Sequence, residues 1–371
     1  MQQASRKPPQ VEFSDSFAHL VIGTMSTVAR APYYEGFDQW VYVTYAALPE
    51  DLRKDIQLVV GPIGAPLLFR VLLQSAPRAE DLTSLIGWIT TLSDEVIEEG
   101  IQAIFEGLAA ESAAKRGKRV EVPSLNDEPA VRAFLVDAES HWSESAHTDP
   151  AFFRQFMRLL NNPGDLKARL VLSITRFWES YYREVYAECR PQAERSVRYH
   201  RSLPYNEGLA KTFLTVAGRP IPVGVEDLFP NLESIVFVPN CFTGPFVQFV
   251  SIDPEGKAFA MLYNCRTQGG GEGGREEIIQ RLFSPLKALA DETRLKILSI
   301  LGDRELYAQQ IVDQMDITQP AVSRHLKLMV AGGILSMRKE NGMKYVSVNI
   351  DALTALATQL IEFVSEEEER S

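Results

Sequence analysis

The sequence predicts an α+β chain, mainly helical: an N-terminal α/β domain ending in a small antiparallel sheet, then a smaller C-terminal unit of short helices and one hairpin. Three observations carry this expectation. Apolar residues recur at helical spacing from about residue 82 to residue 188. After Gly218 the texture changes to short β-branched or aromatic runs separated by Pro, Asn and Gly. Five of the seven residues in Gln268-Gly-Gly-Gly-Glu-Gly-Gly274 are glycine, a composition that suits neither a helix nor a strand interior, so 268–274 reads as a linker between units at 10–267 and 275–365.

A chain of 371 residues has room for two or three domains. Its 45% hydrophobic and 23% charged residues match an ordinary globular protein and exclude a wholly disordered one. No apolar run approaches the roughly 18 residues of a membrane span. Met1 is followed by a polar, Pro-containing lead with no apolar core, so the expectation is a cytoplasmic protein without a signal peptide or membrane contact. Cys189, Cys241 and Cys265 lie far apart in sequence and form no CxxC pair, which predicts separate reduced thiols rather than a disulfide framework or zinc knuckle. The histidines form no HExxH or similar ligand pair. No metal, no resident cofactor and no catalytic constellation is expected.

In the large unit, Val60-Gly-Pro-Ile-Gly-Ala-Pro66 lacks the GK[ST] ending of a phosphate loop and reads as a turn between helices. Leu85, Ile89, Leu92 and Val96, continued by Ile97, Ile101, Ile104 and Leu108, predict one long helix over about 82–114. Asp149-Pro150 supplies an N-cap and first-turn proline for a helix carrying Phe152, Phe153, Phe156 and Leu160. Leu166, Leu170, Ile174, Phe177, Tyr181 and Val185 mark another helix from Asp165 to about Glu188. Ile221–Val225, Ser234–Val238, Pro245–Ile252 and Lys257–Tyr263 read as strands, the last two joined by the Asp253-Pro-Glu-Gly256 turn. Aromatic residues cluster at Tyr33, Tyr34, Phe37, Trp40, Tyr42 and Tyr45, and again at Phe177, Trp178, Tyr181, Tyr182 and Tyr186. They read as core, or as an effector pocket anchored by Arg176 and Arg183.

The C-terminal unit is more specific. Ser284-Pro285 caps a short helix through Ala290, and Asp291 caps the next, in which Leu295, Leu298 and Leu301 repeat at three-residue spacing. Glu305 to Gln314 forms a third helix, followed by a turn at Met315–Thr318. Thr318 caps a fourth helix with Pro320 in its first turn and Val322, Leu326 and Met329 inward. Gln319, Ser323, Arg324 and Lys327 fall largely on its other side, a composition suited to reading base edges in a major groove. Gly332-Gly333 ends the helix, and Ile334–Lys339 and Met343–Asn349 pair across Asn341-Gly342, a strong hairpin signal. The layout is a winged helix-turn-helix, with Arg338, Lys339 and Lys344 along the wing. Although net charge is −11, residues 318–349 carry five Lys or Arg against Glu340 alone, and over a screening length of about 10 Å the local patch decides phosphate contact.

LADETRLKILSIL (289–301), TQPAVSRHLKLMVAGGIL (318–335) and KENGMKYVSV (339–348) resemble the DNA-binding domain of ArsR-type transcriptional regulators over about 278–350. The resemblance implies a homodimer on double-stranded DNA, paired through helices near 276–290 and 351–364, where Leu353, Leu356, Leu360 and Phe363 form an apolar stripe. It also implies recognition roles for Thr318, Gln319, Ser323, Arg324 and His325. The sequence departs from the metal-sensing members: Glu305-Leu-Tyr-Ala-Gln-Gln310 has no cysteine and 351–364 no histidine. The large unit is loosely similar to helical regions that precede such domains, through IVFVPNCFTGPFVQFVSI (235–252). The expected function is a transcriptional regulator, a repressor or autoregulator on an inverted-repeat operator, under non-metal control that could include a small-molecule effector. The alternative is an architectural or partner-recruiting DNA-binding protein whose N-terminal domain binds no small molecule.

Overall fold

The computed structural model describes residues 9–75, 79–116, 120–137, 149–218, 221, 232–253, 257–265, 275–340 and 343–365. Strand β1 (Gln10–Phe13) leads into α1 (Phe17–Ala29), a helix in which every residue is buried. Its sequence FAHLVIGTMSTVA is predominantly apolar on all sides and has no carboxylate, lysine or arginine, so the protein interior is its natural place. Two of the hydroxyls it takes inside find distant partners. Thr24 Oγ1 donates to the Tyr182 hydroxyl at 3.0 Å, while Thr27 Oγ1 accepts from Asn240 Nδ2 at 3.2 Å and Gln248 Nε2 at 2.9 Å.

Among the described residues ten further α-helices follow in the large unit: α2 (Gln39–Ala47), α3 (Glu50–Asp55), α4 (Ala65–Ser75), α5 (Leu82–Thr91), α6 (Asp94–Arg116), α7 (Glu128–Asp137), α8 (Pro150–Leu160), α9 (Pro163–Phe177), α10 (Arg183–Arg201) and α11 (Leu209–Ala217). The turn expected at 60–66 is instead helical, a widened π-type stretch over Ile56–Gly64 that joins α3 to α4. The single helix expected over 82–114 breaks at Leu92 and Ser93. Leu92 is extended (φ −61°, ψ 126°), and Ser93 Oγ then accepts the Val96 N–H at 3.3 Å, with Asp94 and Glu95 in the first turn of α6. The apolar repeat survives this break because Leu85, Ile89, Ile97 and Ile101 all reach the core. Asp149 caps α8 as expected, and Asn162 caps α9 by accepting the Asp165 N–H at 3.0 Å. A π-type stretch at Trp178–Tyr182 carries α9 into α10, which continues past the expected end at Glu188 to Arg201 with Pro191 inside it.

Strands β2 (Ser234–Asn240), β3 (Gln248–Ser251) and β4 (Ala258–Asn264) join β1 in one sheet of order β1-β2-β4-β3. The expectation of a small antiparallel sheet is corrected here: β1–β2 and β2–β4 are parallel, and only the β3–β4 pair is antiparallel. Parallel strands need both faces covered, and they are. Phe13, Phe237, Tyr263 and Phe249 lie on one face, where Phe13 stacks on His200 of α10, Tyr263 meets Ser196 at 2.9 Å, and Phe213 of α11 packs on Phe237 and Phe249. Asn240, Gln248 and Leu262 lie on the other, against Thr27 and Gly23 of α1. In-register pairing of Asn240 with Asn264 places the next residues, Cys241 and Cys265, side by side. Their sulfurs are 3.1 Å apart, so these two buried thiols are neighbours rather than separate as the sequence spacing suggested.

His19 is the charged-state liability of this core. Its ring stacks on Phe69, Nδ1 meets Ser14 Oγ at 2.7 Å, and burial pushes its pKa from 6.5 down to about 4. The unfolded chain therefore binds a proton that the folded one refuses. Stability is unaffected by this group above pH 6.5 and falls as pH drops from 6.5 to 4, by about 3 kcal/mol in total. Urea unfolding across that window should show the loss, and His19→Asn should flatten it. Equal slopes in the two proteins would place the titration elsewhere.

The C-terminal unit contains α12 (Arg275–Leu289), α13 (Glu292–Leu301), β5 (Leu306–Tyr307), α14 (Ala308–Val312), α15 (Gln319–Ala331), β6 (Leu335–Glu340), β7 (Met343–Val348) and α16 (Ile350–Ser365). Its sheet has the order β5-β7-β6 and is antiparallel throughout. Two expectations change. Pro285 does not begin a helix; it sits within α12, which starts at Arg275. The third helix begins only at Ala308, because Leu306 and Tyr307 pair with Val346 and Tyr345 of β7. Ile297, Leu301, Ile311, Val322, Met329 and Ile334 form the core of this unit. The expected strand Ile221–Val225 is described at Ile221 alone. The 268–274 linker, the Asn341-Gly342 turn and the acidic run Glu366–Glu369 lie outside the described residues. Among the described residues no helix is long and apolar enough to cross a membrane.

Candidate nucleic-acid interface

Helix α15 owes its placement to one apolar stripe. Val322, Leu326 and Met329 are buried against the neighbouring helices, which turns the first two turns of the opposite side outward. Thr318 is the extended N-cap, and Pro320 sits in the first turn where no N–H partner is required. Thr318, Gln319 and Arg324 are exposed, and Ser323 is half-buried beside them. These are hydrogen-bonding and cationic groups on a short, solvent-facing helix start. Chemically that is a surface able to donate to phosphate and to base edges.

The structure does not bring all the expected residues onto that surface. His325 and Lys327 lie on the flank of α15 that faces the large unit, and Arg324, although exposed, has its Nε 3.7 Å from Glu35 of that unit. The His325 side chain is 13% exposed, with Nδ1 3.7 Å from Glu35 and 3.9 Å from Asp291. The Lys327 ammonium sits 5.4 Å from the centre of the Tyr34 ring. On the wing, Lys344 is exposed. Arg338 is held along the hairpin, its Nε 2.6 Å from Glu305 and its guanidinium 4.9 Å from the Tyr345 ring centre. Lys339 belongs to β6, with its side chain outside the described set.

Sequence reasoning missed Arg294, Lys287 and Glu35. Arg294 has only 8% of its side chain exposed; it donates to the Lys287 carbonyl at 3.0 Å and approaches Glu35 at 3.3 Å. Lys287 donates from Nζ to the Phe37 carbonyl at 2.7 Å, and burial lowers its pKa from the ordinary lysine value. A signal for Arg294 existed in its place three residues after the cap Asp291, on a turn whose other side is solvent. Nothing local marks Glu35.

The aromatic clusters of the large unit lie in the core or pack half-buried against it. Trp40 packs on Phe242, Trp178 on Phe17 and Tyr186, and Tyr182 lies among Phe177, Trp178 and Phe242. The cavity beside Tyr182, Thr24, Cys189 and Cys241 has room for about one water molecule. Of the two expected anchors, Arg176 pairs with Asp51 at 2.7 Å and Arg183 is exposed.

The pattern of the family described as "Bacterial regulatory protein, arsR family" matches residues 291–336, from the cap of α13 into β6. The chain is also 31% identical over 70 residues to the arsenical resistance operon repressor of Staphylococcus aureus, covering 67% of that protein and 19% of this chain. The chain belongs to the arsR family through its C-terminal domain. This arsR head is also similar to the transcriptional repressor SdpR of Bacillus subtilis, 28% identical over 79 residues that make up 88% of SdpR and 21% of this chain. It is similar as well to the transcriptional activator HlyU of Vibrio cholerae, 40% identical over 55 residues, about half of HlyU and 15% of this chain. The solved structure of HlyU covers 22% of the chain at 30% identity, with a TM-score of 0.19. These matches concern the head; the large unit is outside them.

Proposed function

We propose that this chain is a DNA-binding transcriptional regulator whose arsR head reads an operator and whose N-terminal domain, 10–267, controls that head. The observation that carries the reading is the exposed polar and cationic start of α15, in a head of the arsR family. Thr318, Gln319, Ser323 and Arg324 would enter the major groove, with Lys327, Lys339, Lys344 and Arg338 on phosphates and His325 bracing the helix from its flank. Repression, including autoregulation, is the favoured sign, since SdpR and the arsenical resistance protein are named repressors, while HlyU is named an activator.

Surface and family both support a homodimer. Helices α12 and α16 pack on each other and leave Ile279, Phe283, Ile350, Ile361 and Val364 exposed. A second copy would cover this face and set two recognition helices about 34 Å apart, on an inverted repeat. The architectural or partner-recruiting reading keeps one observation in its favour: the aromatic core of the large unit has no ligand-sized space beside Tyr182.

Arg324→Ala tests the reading. It should cost about 1–3 kcal/mol of operator binding and relax base preference at one position of each half-site. Base preference is the decisive readout, measured by competition among single-base operator variants. An unchanged preference would remove Arg324 from the groove.

A further inference from the structure

Among the described residues the head meets the large unit at the short segment 33–38, and the polar contacts there fall on the cations of the head. The Glu35 carboxylate lies 3.3 Å from Arg294 Nη1, 3.7 Å from Arg324 Nε and 3.7 Å from His325 Nδ1. Lys287 Nζ bonds the Phe37 carbonyl, and Lys327 rests on the Tyr34 ring. Leu328, buried, fills the space over Gly36, where a Cβ would come within 2.4 Å of Leu328 Cδ1 and φ is +109°. Only glycine fits this close approach with this backbone angle.

The segment is shaped before the head arrives. The Tyr42 hydroxyl donates to the Tyr34 carbonyl at 2.8 Å and accepts the Phe37 N–H at 3.0 Å, and the Asp38 N–H bonds the Phe242 carbonyl at 3.1 Å. A preformed loop thus presents a carboxylate to a nearly buried guanidinium and to a side chain of the recognition helix. Anionic oxygens 3–4 Å from arginine nitrogens are the contact a DNA phosphate makes with a basic surface, and here the Glu35 carboxylate makes it.

We propose that the segment 33–38 is an internal competitor of DNA, with Glu35 standing in for a backbone phosphate on the arsR head; this rests on the DNA-binding reading above. Arg324 and Lys327 serve either the segment or the duplex. Docked, the head also holds the Glu35 carboxylate beside the path of the DNA phosphates, where it repels them. The head binds DNA when it leaves the segment, so apparent affinity is the intrinsic affinity reduced by the fraction undocked.

Two full-length variants test this by fluorescence anisotropy on a 30-base-pair random duplex at fixed low salt. Glu35→Gln removes the phosphate mimic. Lys287→Met removes a docking bond on α12, away from the DNA-facing side of α15, and takes one positive charge from the head. Competition predicts that both bind at least about fivefold tighter than wild type. Simple charge bookkeeping predicts tighter binding for the first and weaker for the second. Tighter binding by both supports the proposal. A gain confined to Glu35→Gln reduces the segment to ordinary repulsion and overturns it, as does no gain in either. If no protein, wild type included, binds duplex at low salt, the DNA-binding reading itself fails and the competition with it. Matching melting curves for the three proteins exclude misfolding as the cause.

Discussion

A chain carrying Phe283→Glu should sediment as a monomer and bind a two-half-site operator at least about 100-fold more weakly than wild type, with its melting curve little changed. Phe283 is 58% exposed on α12, close to the Lys287 ammonium, and Ile361 of α16 is 66% exposed. Large apolar groups this open lose little when changed to a carboxylate in a monomer. In a dimer the same carboxylate would be taken out of water against an apolar partner, a cost of several kcal/mol that Lys287 one turn away offsets only in part. Losing the pair also makes the second half-site a separate binding event, and linked sites gain a factor of about 10²–10⁴ over single ones. Analytical ultracentrifugation read beside operator titration checks both halves. A variant that stays dimeric would move the pairing surface elsewhere, and a monomeric wild type would remove it.

Phe237→Ala should destabilise the large unit by about 3–5 kcal/mol. Phe237 is fully buried on β2, a strand paired on both sides, and its ring meets Phe13 at 5.3 Å, Phe213 at 6.1 Å and Tyr263 at 6.4 Å. Truncation leaves a hole bordered by rings from β1, β4 and α11, elements that are held by their own hydrogen bonds and close over it only in part. Against a typical domain stability of about 5–15 kcal/mol, the loss is large. The core of the head, built around Ile297, Val322 and Met329, shares none of these contacts. Urea unfolding followed by a probe in each unit should show the midpoint of the large unit falling well ahead of that of the head. A loss below about 1 kcal/mol would mean this face of the sheet is not a packed layer.

The features legible in the sequence were those that repeat locally. The apolar stripes of α8, α9 and α15, the caps Asp149 and Asp291, and the wing strands each declare themselves within a dozen residues. What escaped depends on distance or on uniformity. Helix α1 has no polar face for an amphipathic pattern to reveal. Strand β1 pairs in parallel with residues more than two hundred positions away, and nothing in QVEF foretells that partner. The break at Leu92–Ser93 hid beneath an apolar repeat that both helices continue. The candidate site divides the same way. The outward side chains of α15 follow from its own inward stripe, whereas the turning of His325 and Lys327 toward the large unit depends on a loop near the other end of the chain.

Nine residues separate Cys265, at the end of the large unit's sheet, from Arg275, where α12 begins. Fully extended, that stretch reaches at most about 35 Å, which confines a released head to a volume equivalent to roughly 10 mM of the loop that holds it. Because loop and head belong to one molecule, this figure does not change with expression level. Synthesis of more protein adds operators' ligands and their restraint in equal number. The proportion of heads held back is therefore the same in a cell with few copies as in one with many, and what resets it must alter the contact between loop and head.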